Sequence, residues 1–92
     1  MQTRANGRVV VVPKKRKELV DRLSTSENAA KVLATIPERE ATVLILRHGL
    51  FGNQRHTLQL IGDKFSLTRE RIRQIQGKAE RKMRHPLRYS KL

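Results

Sequence analysis

The sequence predicts an all-α fold: a small helical domain with a C-terminal helix-turn-helix, preceded by a basic arm with one short strand. Three observations lead to this prediction. Apolar residues recur at helical spacing from residue 29 onwards, capping residues and prolines divide that stretch into separate helices, and upstream only Val9–Val12 has the β-branched character of a strand. With 92 residues, of which 37% are hydrophobic, the chain has the size of one domain with a thin core.

The basic arm comprises residues 1–23. Within it, Gly7–Pro13 predicts a short strand that the proline ends. A single strand is unstable alone, so the arm is expected either to pair with a partner or to remain disordered. The cluster Lys14–Lys17 is compatible with phosphate binding, with a localisation signal or with a flexible solvated segment.

Residues 24–92 are predicted to form the helical domain. Ser24 and Glu27 have the spacing of a capping box and predict the start of a first helix, which Pro37 ends. A second helix follows the proline and ends at Gly49, a residue typical of helix C-caps. A polar loop comes next.

Two threonines mark the starts of the last two helices. Thr57 predicts the N-cap of a short helix over 58–65, and Thr68 that of a longer helix from Arg69 to about Arg84, which His85-Pro86 ends. The apolar residues of both helices share one face, namely Leu58, Ile61, Phe65, Ile72, Ile75, Ala79 and Met83, with Leu67 in the turn. The opposite face of the longer helix is polar and mostly basic. This arrangement predicts a helix-turn-helix, whose second helix reads bases in the major groove with its first two turns.

The charge of the chain also favours DNA as partner. Lys and Arg number 21 against 8 Asp and Glu, which gives a net charge of +13, and nucleic acid is the commonest polyanion that such proteins bind. The absence of cysteine excludes disulfides and thiolate metal sites and fits a reducing cytosol. The longest apolar runs have four residues, so neither a membrane span nor a signal peptide is expected.

The candidate site residues fall into two groups. Arg can pair with guanine, Gln with adenine, and Glu can accept a hydrogen bond from cytosine, so the predicted base-reading residues are Arg69, Glu70, Arg73 and Gln74. Phosphate contacts are expected from capping hydroxyls and from basic residues further along the helix: Thr57, Thr68, Lys78, Arg81 and Lys82. The alternative is a solvated helix face on which Glu70 and Arg73 simply pair with each other.

A family resemblance adds to this interpretation. The run Leu67-Thr-Arg-Glu-Arg-Ile-Arg-Gln-Ile75, with Lys78-Ala79 and Arg84-His85-Pro86 after it, closely resembles the C-terminal promoter-binding domain of the sigma-70 family of bacterial RNA polymerase sigma factors. Further likeness lies upstream, in Ile36-Pro-Glu-Arg-Glu40, Val43-Leu44, Leu46-Arg47-His-Gly-Leu50 and Thr57-Leu-x-x-Ile-Gly62. The likeness covers about residues 32–88.

The resemblance implies recognition of the minus-35 promoter element while the domain is docked on the flap of the RNA polymerase β subunit. It implies base reading by the same four residues of the long helix and backbone contact by Arg47, Thr57 and Lys78. The flap-binding surface would be an apolar groove of the helices within 28–48, with Leu58 and Phe65 as further lining. A bacterial or phage-encoded protein acting in the cytoplasm is implied.

The chain also departs from this family. Glu80 and Met83 stand where leucine is commoner, Gly77 stands where alanine is commoner, and residues 1–23 match no part of the family pattern. The separate domain that binds the melted minus-10 element is absent from the sequence. The chain is therefore interpreted either as an excised domain or as a small stand-alone protein.

A protein-interaction module is the alternative function. In that case the chain would bind polymerase, or be held by an anti-sigma or other regulatory protein, with weak or masked DNA contact. An enzyme is not expected, because His48, His56 and His85 are scattered without carboxylates at metal-ligand spacing, and no glycine-rich phosphate loop is present. Accordingly no catalytic residue, metal or cofactor is predicted.

Overall fold

A computed structural model describes residues 2–5 and 7–92; Met1 and Asn6, which belong to the predicted arm, lie outside the described residues. The described part is mostly helical and contains a helix-turn-helix, which confirms the predicted fold class. Its elements are β1 (Gln2–Ala5), β2 (Arg8–Val11), α1 (Arg16–Thr25), α2 (Ala29–Leu33), α3 (Glu38–His48), α4 (Leu58–Phe65), α5 (Arg69–Met83) and α6 (Pro86–Tyr89).

The predicted basic arm contains a β-hairpin and a helix. Strands β1 and β2 pair antiparallel, with Gln2 opposite Val11, so the predicted strand exists and its partner lies in the same chain. Helix α1 buries Leu19 and Leu23, which are one turn apart, in the core of the domain. The predicted boundary between residues 23 and 24 therefore falls inside α1, and the arm's last turns belong to the folded domain.

The capping box predicted at Ser24 and Glu27 is wrong. Ser24 lies in the last turn of α1, and its hydroxyl donates to the carbonyl oxygen of Val20 at 2.8 Å. Serine readily makes this bond one turn back along a helix, and α2 begins only at Ala29, so Ser24 is too far upstream to cap it. The start of α2 is instead shaped by Ser26, whose Oγ accepts from the backbone N–H of Asn28 at 3.1 Å.

Helices α3, α4 and α5 begin and end close to the predicted positions. Gly49 terminates α3 in the left-handed conformation at φ 63°. The hydroxyl of Thr57 accepts from the backbone N–H of Leu60, and that of Thr68 from the N–H of Arg71, each at 3.1 Å. These two caps satisfy backbone donors that would otherwise be unpaired at the starts of α4 and α5.

The core consists of two clusters, and α5 contributes to both. The first half of α5 packs with α3 and α4 around Val43, Ile61, Ile72 and Ile75. The second half packs with α1, α2 and α3 through Ala79 and Met83. Because both halves of α5 are anchored, the helix-turn-helix is fixed relative to α1 and to the rest of the domain.

The short helix α6 follows the predicted stop at His85-Pro86. Pro86 occupies its first position, where a missing N–H costs no hydrogen bond, and Nδ1 of His85 accepts from the N–H of Leu87 at 3.2 Å. The strand β1 lies against α6, and Tyr89 packs on the larger core cluster. Helix α6 thus joins the hairpin to the helical domain.

Candidate nucleic-acid interface

The turn between α4 and α5 depends on a close backbone approach at Gly62. The N–H of Leu67 donates to the carbonyl oxygen of Gly62 at 2.8 Å. A Cβ on Gly62 would lie 2.5 Å from the carbonyl oxygen of Leu67, a distance that no side chain tolerates. Gly62 therefore allows the tight packing that sets the angle at which α5 leaves the turn.

The four residues predicted to read bases form one exposed patch on the first two turns of α5. Arg69 lies one turn before Arg73, and Glu70 lies one turn before Gln74, so the two pairs form adjacent rows along the helix. All four side chains are exposed, whereas Ile72 on the opposite side is fully buried. We call these four residues the α5 patch. The structure brings them together, as the sequence periodicity predicted.

Two members of the α5 patch pair with each other. Arg73 donates from Nε and Nη2 to the carboxylate of Glu70, at 2.9 and 2.6 Å. This hydrogen bonding lowers the pKa of Glu70 and raises the pKa of Arg73, so both side chains are charged at neutral pH. The Glu70–Arg73 pair expected for a merely solvated helix face is thus present. It is solvent-exposed, and exposed pairs contribute little, so it can be exchanged for contacts to a ligand.

Five of the six residues predicted to contact the DNA backbone lie on or beside α4 and α5 and form no ion pair within the described part of the chain. Thr57 and Thr68 are exposed at the N-termini of α4 and α5, and Lys78 and Arg81 are exposed further along α5. Arg47 is half-buried, and its Nη1 donates to a loop carbonyl oxygen directly before Thr57. These five residues are therefore near the ends or on the exposed side of the two helices.

Lys82 is the exception, because its ammonium group is paired with a carboxylate of α3. Its Nζ donates to Oε2 of Glu40 at 3.1 Å and lies 2.9 Å from Oε1. Glu40 is largely buried near the start of α3. The pair therefore fastens the end of α5 to α3, and contact with DNA would require Lys82 to leave a partly buried carboxylate.

A buried carboxylate that the sequence analysis did not single out as a site lies on the inner side of α5. The side chain of Glu80 is 3% exposed and accepts from Nε of Arg16 at 2.9 Å, from Nε2 of His48 at 3.2 Å and from Nε2 of Gln76 at 3.0 Å. Burial by itself raises the pKa of Glu80, but the hydrogen bonds from His48, Gln76 and Arg16 outweigh it and lower the pKa to about 2. Glu80 is therefore a charged acceptor that ties α1, α3 and α5 together. The available signal was a glutamate among apolar positions of the helix.

An apolar groove runs between α2 and α3. We call it the α2–α3 groove; it is lined by Ala30, Leu33, Ala34, Ile36, Glu38, Ala41, Thr42, Ile45 and Phe51. Phe51 is half-exposed, at 52%, and its backbone has φ 55°, a conformation that is strained for a bulky residue. Leu58 and Phe65, expected as further lining of the flap-binding surface, are not part of this groove; both are partly buried and pack against the core cluster between α3, α4 and α5.

Within residues 2–5 and 7–92, no group of three His, Cys, Asp or Glu side chains could hold a metal ion. In the same part of the chain, no helix is both long and apolar enough to cross a membrane.

A helix-turn-helix with an exposed, polar second helix on a strongly basic chain defines the class of small DNA-binding domains. The family described as "Sigma-70, region 4" matches residues 32–85, and the chain belongs to this family. The resemblance to the sigma-70 family seen in the sequence is thereby confirmed. The hairpin and α1 lie before the matched residues.

Curated relatives support the same assignment. The chain is 52% identical over 66 residues to RNA polymerase sigma factor SigA of Clostridium acetobutylicum, covering 72% of this chain and 18% of that protein. It is 48% identical over 69 residues to RNA polymerase sigma factor RpoD of Neisseria gonorrhoeae, covering 75% of this chain and 11% of that protein. With SigA of Lactococcus lactis subsp. cremoris it shares 44% identity over 71 residues, covering 77% and 20%. The matched part thus spans a fifth or less of each relative.

Proposed function

We propose that this chain binds double-stranded promoter DNA during transcription initiation by placing α5 in the major groove at the minus-35 element. The observation that carries the proposal is the α5 patch: four side chains suited to base edges, exposed on the first two turns of a helix whose two halves are anchored in the core. Membership of the sigma-70 region 4 family supports the same role. The function is one of binding, carried out in the cytoplasm.

In this proposal the residues of the α5 patch have separate tasks. Arg69 and Arg73 suit guanine, Gln74 suits adenine, and Glu70 suits the amino group of cytosine. Glu70 also holds the guanidinium of Arg73 through two hydrogen bonds, which orients it before DNA arrives. Contacts to the DNA backbone come from residues around the patch, namely Arg47, Thr57, Thr68, Lys78 and Arg81. We assign Lys82 to fastening α5 instead.

The proposal includes docking on the flap of the RNA polymerase β subunit through the α2–α3 groove. The groove has a mainly apolar lining, and no residue of α4 or α5 belongs to it, so a partner seated there leaves the α5 patch open. The half-exposed, strained Phe51 supports this use, because such residues concentrate at binding sites. A helix with an apolar face is the kind of partner that such a groove accepts.

A second candidate is a protein-interaction module, in which polymerase or an anti-sigma protein occupies the α2–α3 groove and DNA contact is weak. The mutual pairing of Glu70 and Arg73 favours it, because both groups are already satisfied without DNA.

Fluorescence anisotropy on minus-35 and scrambled duplexes, at two salt concentrations and with or without the isolated flap, tests both candidates. A preference for the minus-35 duplex that survives added salt supports base reading. Equal binding that collapses with salt reports only the net charge and contradicts it.

Two variants separate the roles. Gln74→Ala should relax specificity at one base pair, whereas Lys78→Ala should weaken binding to all duplexes alike.

Phe51→Ser tests the α2–α3 groove, since it removes an exposed aromatic ring without touching the core. Loss of flap binding with unchanged DNA binding supports docking there; unchanged flap binding contradicts it.

A further inference from the structure

A second basic surface lies outside the α5 patch, in a cleft between α1 and the loop that precedes α4. Its cationic lining comes from Arg16 and Lys17 in the first turn of α1 and from Arg55 in the loop. His48 lies at its inner side, and Asp21 is the one carboxylate among its lining residues. We call this surface the α1 cleft.

Glu80 holds one of these cations in place. Its carboxylate accepts from Nε of Arg16, yet the Arg16 side chain remains 57% exposed. A guanidinium has five N–H donors, so the Nη groups of Arg16 stay available to a ligand while Nε is bound. A pre-oriented guanidinium of this kind suits bidentate recognition of a phosphate.

The other two cations lack acidic partners in the described part of the chain. Among residues 2–5 and 7–92, no ion pair involves Lys17 or Arg55, and both side chains are exposed. Arg55 is nevertheless positioned, because its stem crosses Gly49, where an added Cβ would lie 3.1 Å from its Cγ. The stem of Arg55 is thus packed against the turn at Gly49, beside the cleft that Arg55 lines.

The N-terminus of α1 adds to the positive potential. A helix carries a partial positive charge at this end, where anions are preferred, yet the run Lys14–Lys17 puts four cations there. Within α1, Glu18 in the first turn and Asp21 one turn further on oppose them, and Glu80 of α5 pairs with Arg16. This repulsion is relieved when an anion binds.

The α1 cleft is continuous with the residues proposed to hold the DNA backbone. Arg55 is two residues before Thr57, so their Cα atoms are separated by about 7 Å at most. Arg47 bridges the same stretch, since its Nη1 donates to the carbonyl oxygen of His56 at 3.1 Å. A DNA strand that passes the N-terminus of α4 therefore reaches this cleft.

We infer that the α1 cleft binds a backbone phosphate of the same DNA, outside the bases that α5 reads, through Arg16, Lys17 and Arg55. The inference rests on the proposed DNA-binding function and extends the interface to α1, a helix that precedes the residues matched by the family. The contact is independent of sequence, and it adds affinity without specificity.

The test compares the full chain with the double variant Lys17→Gln/Arg55→Gln. The matched control is Lys31→Gln/Lys91→Gln, which removes the same charge from exposed lysines beside a different depression. Binding to a minus-35 duplex and to a scrambled duplex is measured by anisotropy at several salt concentrations, and circular dichroism confirms folding. Relative to the control, the cleft variant should have a slope of log K against log salt that is less steep by about 0.9. Its affinity for both duplexes should be about fivefold to tenfold lower at 0.1 M salt.

A methylphosphonate scan of the duplex locates the contact. Phosphates are replaced one at a time. At one position outside the base-reading stretch, the replacement should weaken DNA binding by the wild-type chain but not by the cleft variant. Equal slopes for the cleft and control variants, or a scan in which every position affects both proteins alike, would overturn the inference. Loss of polymerase binding with unchanged DNA binding would also overturn it and assign the cleft to an acidic protein.

The same data separate this inference from the proposed function. Because the phosphate contact acts on any duplex, a wild-type chain without minus-35 preference refutes base reading but still shows the slope difference. A wild-type chain that binds no DNA refutes both.

Discussion

The buried carboxylate of Glu80 leads to a quantitative prediction for the variant Glu80→Gln. This change keeps the size of the side chain and removes its charge. In the folded chain the pKa of Glu80 is about 2, against an ordinary value of 4.5. One pKa unit is worth about 1.4 kcal/mol, so the ionised form stabilises the fold by about 3 kcal/mol. Because a domain of this size has about 5–14 kcal/mol of stability in total, the loss is large enough to measure.

The pH dependence follows from the direction of this difference. A carboxyl whose pKa is lowered by folding contributes its full stabilisation above the unfolded value, and that contribution falls as the pH drops towards the folded value. We therefore expect Glu80→Gln to lower the free energy of unfolding by about 3 kcal/mol at pH 7. The gap between variant and wild type in the free energy of unfolding should narrow from about pH 4.5 downwards and nearly close at about pH 2.

Urea unfolding followed by circular dichroism at a series of pH values from 7 to 2 measures this gap. The other carboxylates titrate in both proteins, so their effects cancel in the difference. Glu27→Gln is the matched control, because it makes the same chemical change at an exposed carboxylate. A Glu80→Gln gap that stays constant down to pH 2 would mean that packing, and not charge, is responsible. No gap at pH 7 would mean that desolvation cancels the three hydrogen bonds.

The remaining predictions concern backbone and caps. Gly62→Ala should destabilise the domain by about 1–3 kcal/mol in urea unfolding, because its Cβ would meet the carbonyl oxygen of Leu67 at 2.5 Å; wild-type stability would contradict this account of the turn. Thr68→Ala should cost about 1 kcal/mol in the same assay through loss of the α5 cap, and Thr68→Ser should restore most of it. Gly77→Ala should stabilise the domain by about 1 kcal/mol and raise Tm, since the nearest atom to its Cβ is Nη1 of Arg81 at 3.6 Å; a lower Tm would indicate a clash that the geometry does not contain.

Local signals explain why α3, α4 and α5 could be predicted from the sequence. The caps Thr57 and Thr68 lie directly before their helices, and Gly49 lies directly after α3, so each boundary is encoded by neighbouring residues. Exposure of the α5 patch follows from helical periodicity once the apolar face is known. The base contacts themselves stay a prediction.

The parts that sequence reasoning missed depend on contacts between distant segments. Helix α1 presents only the short pattern Leu19 and Leu23 within a basic stretch, and it is stabilised by burial against other helices. The partners of Glu80 come from three different helices, so no local pattern announces the cluster. Lys82 was assigned to DNA by its charge, and only the fold shows its pairing with Glu40.

Three of the eight acidic residues of this basic chain form ion pairs that involve α5. Each acid–base contact within residues 2–5 and 7–92 includes a residue of this helix: Glu80 with Arg16 and His48, Glu70 with Arg73, and Lys82 with Glu40. The carboxylates of Glu80 and Glu40 are largely buried, so salt screens their contacts less than it screens phosphate contacts on the surface, which are lost steeply as salt rises. The position of α5 should therefore be insensitive to ionic strength while DNA affinity is not. It follows that salt tunes how tightly the chain binds DNA without changing the surface that α5 presents.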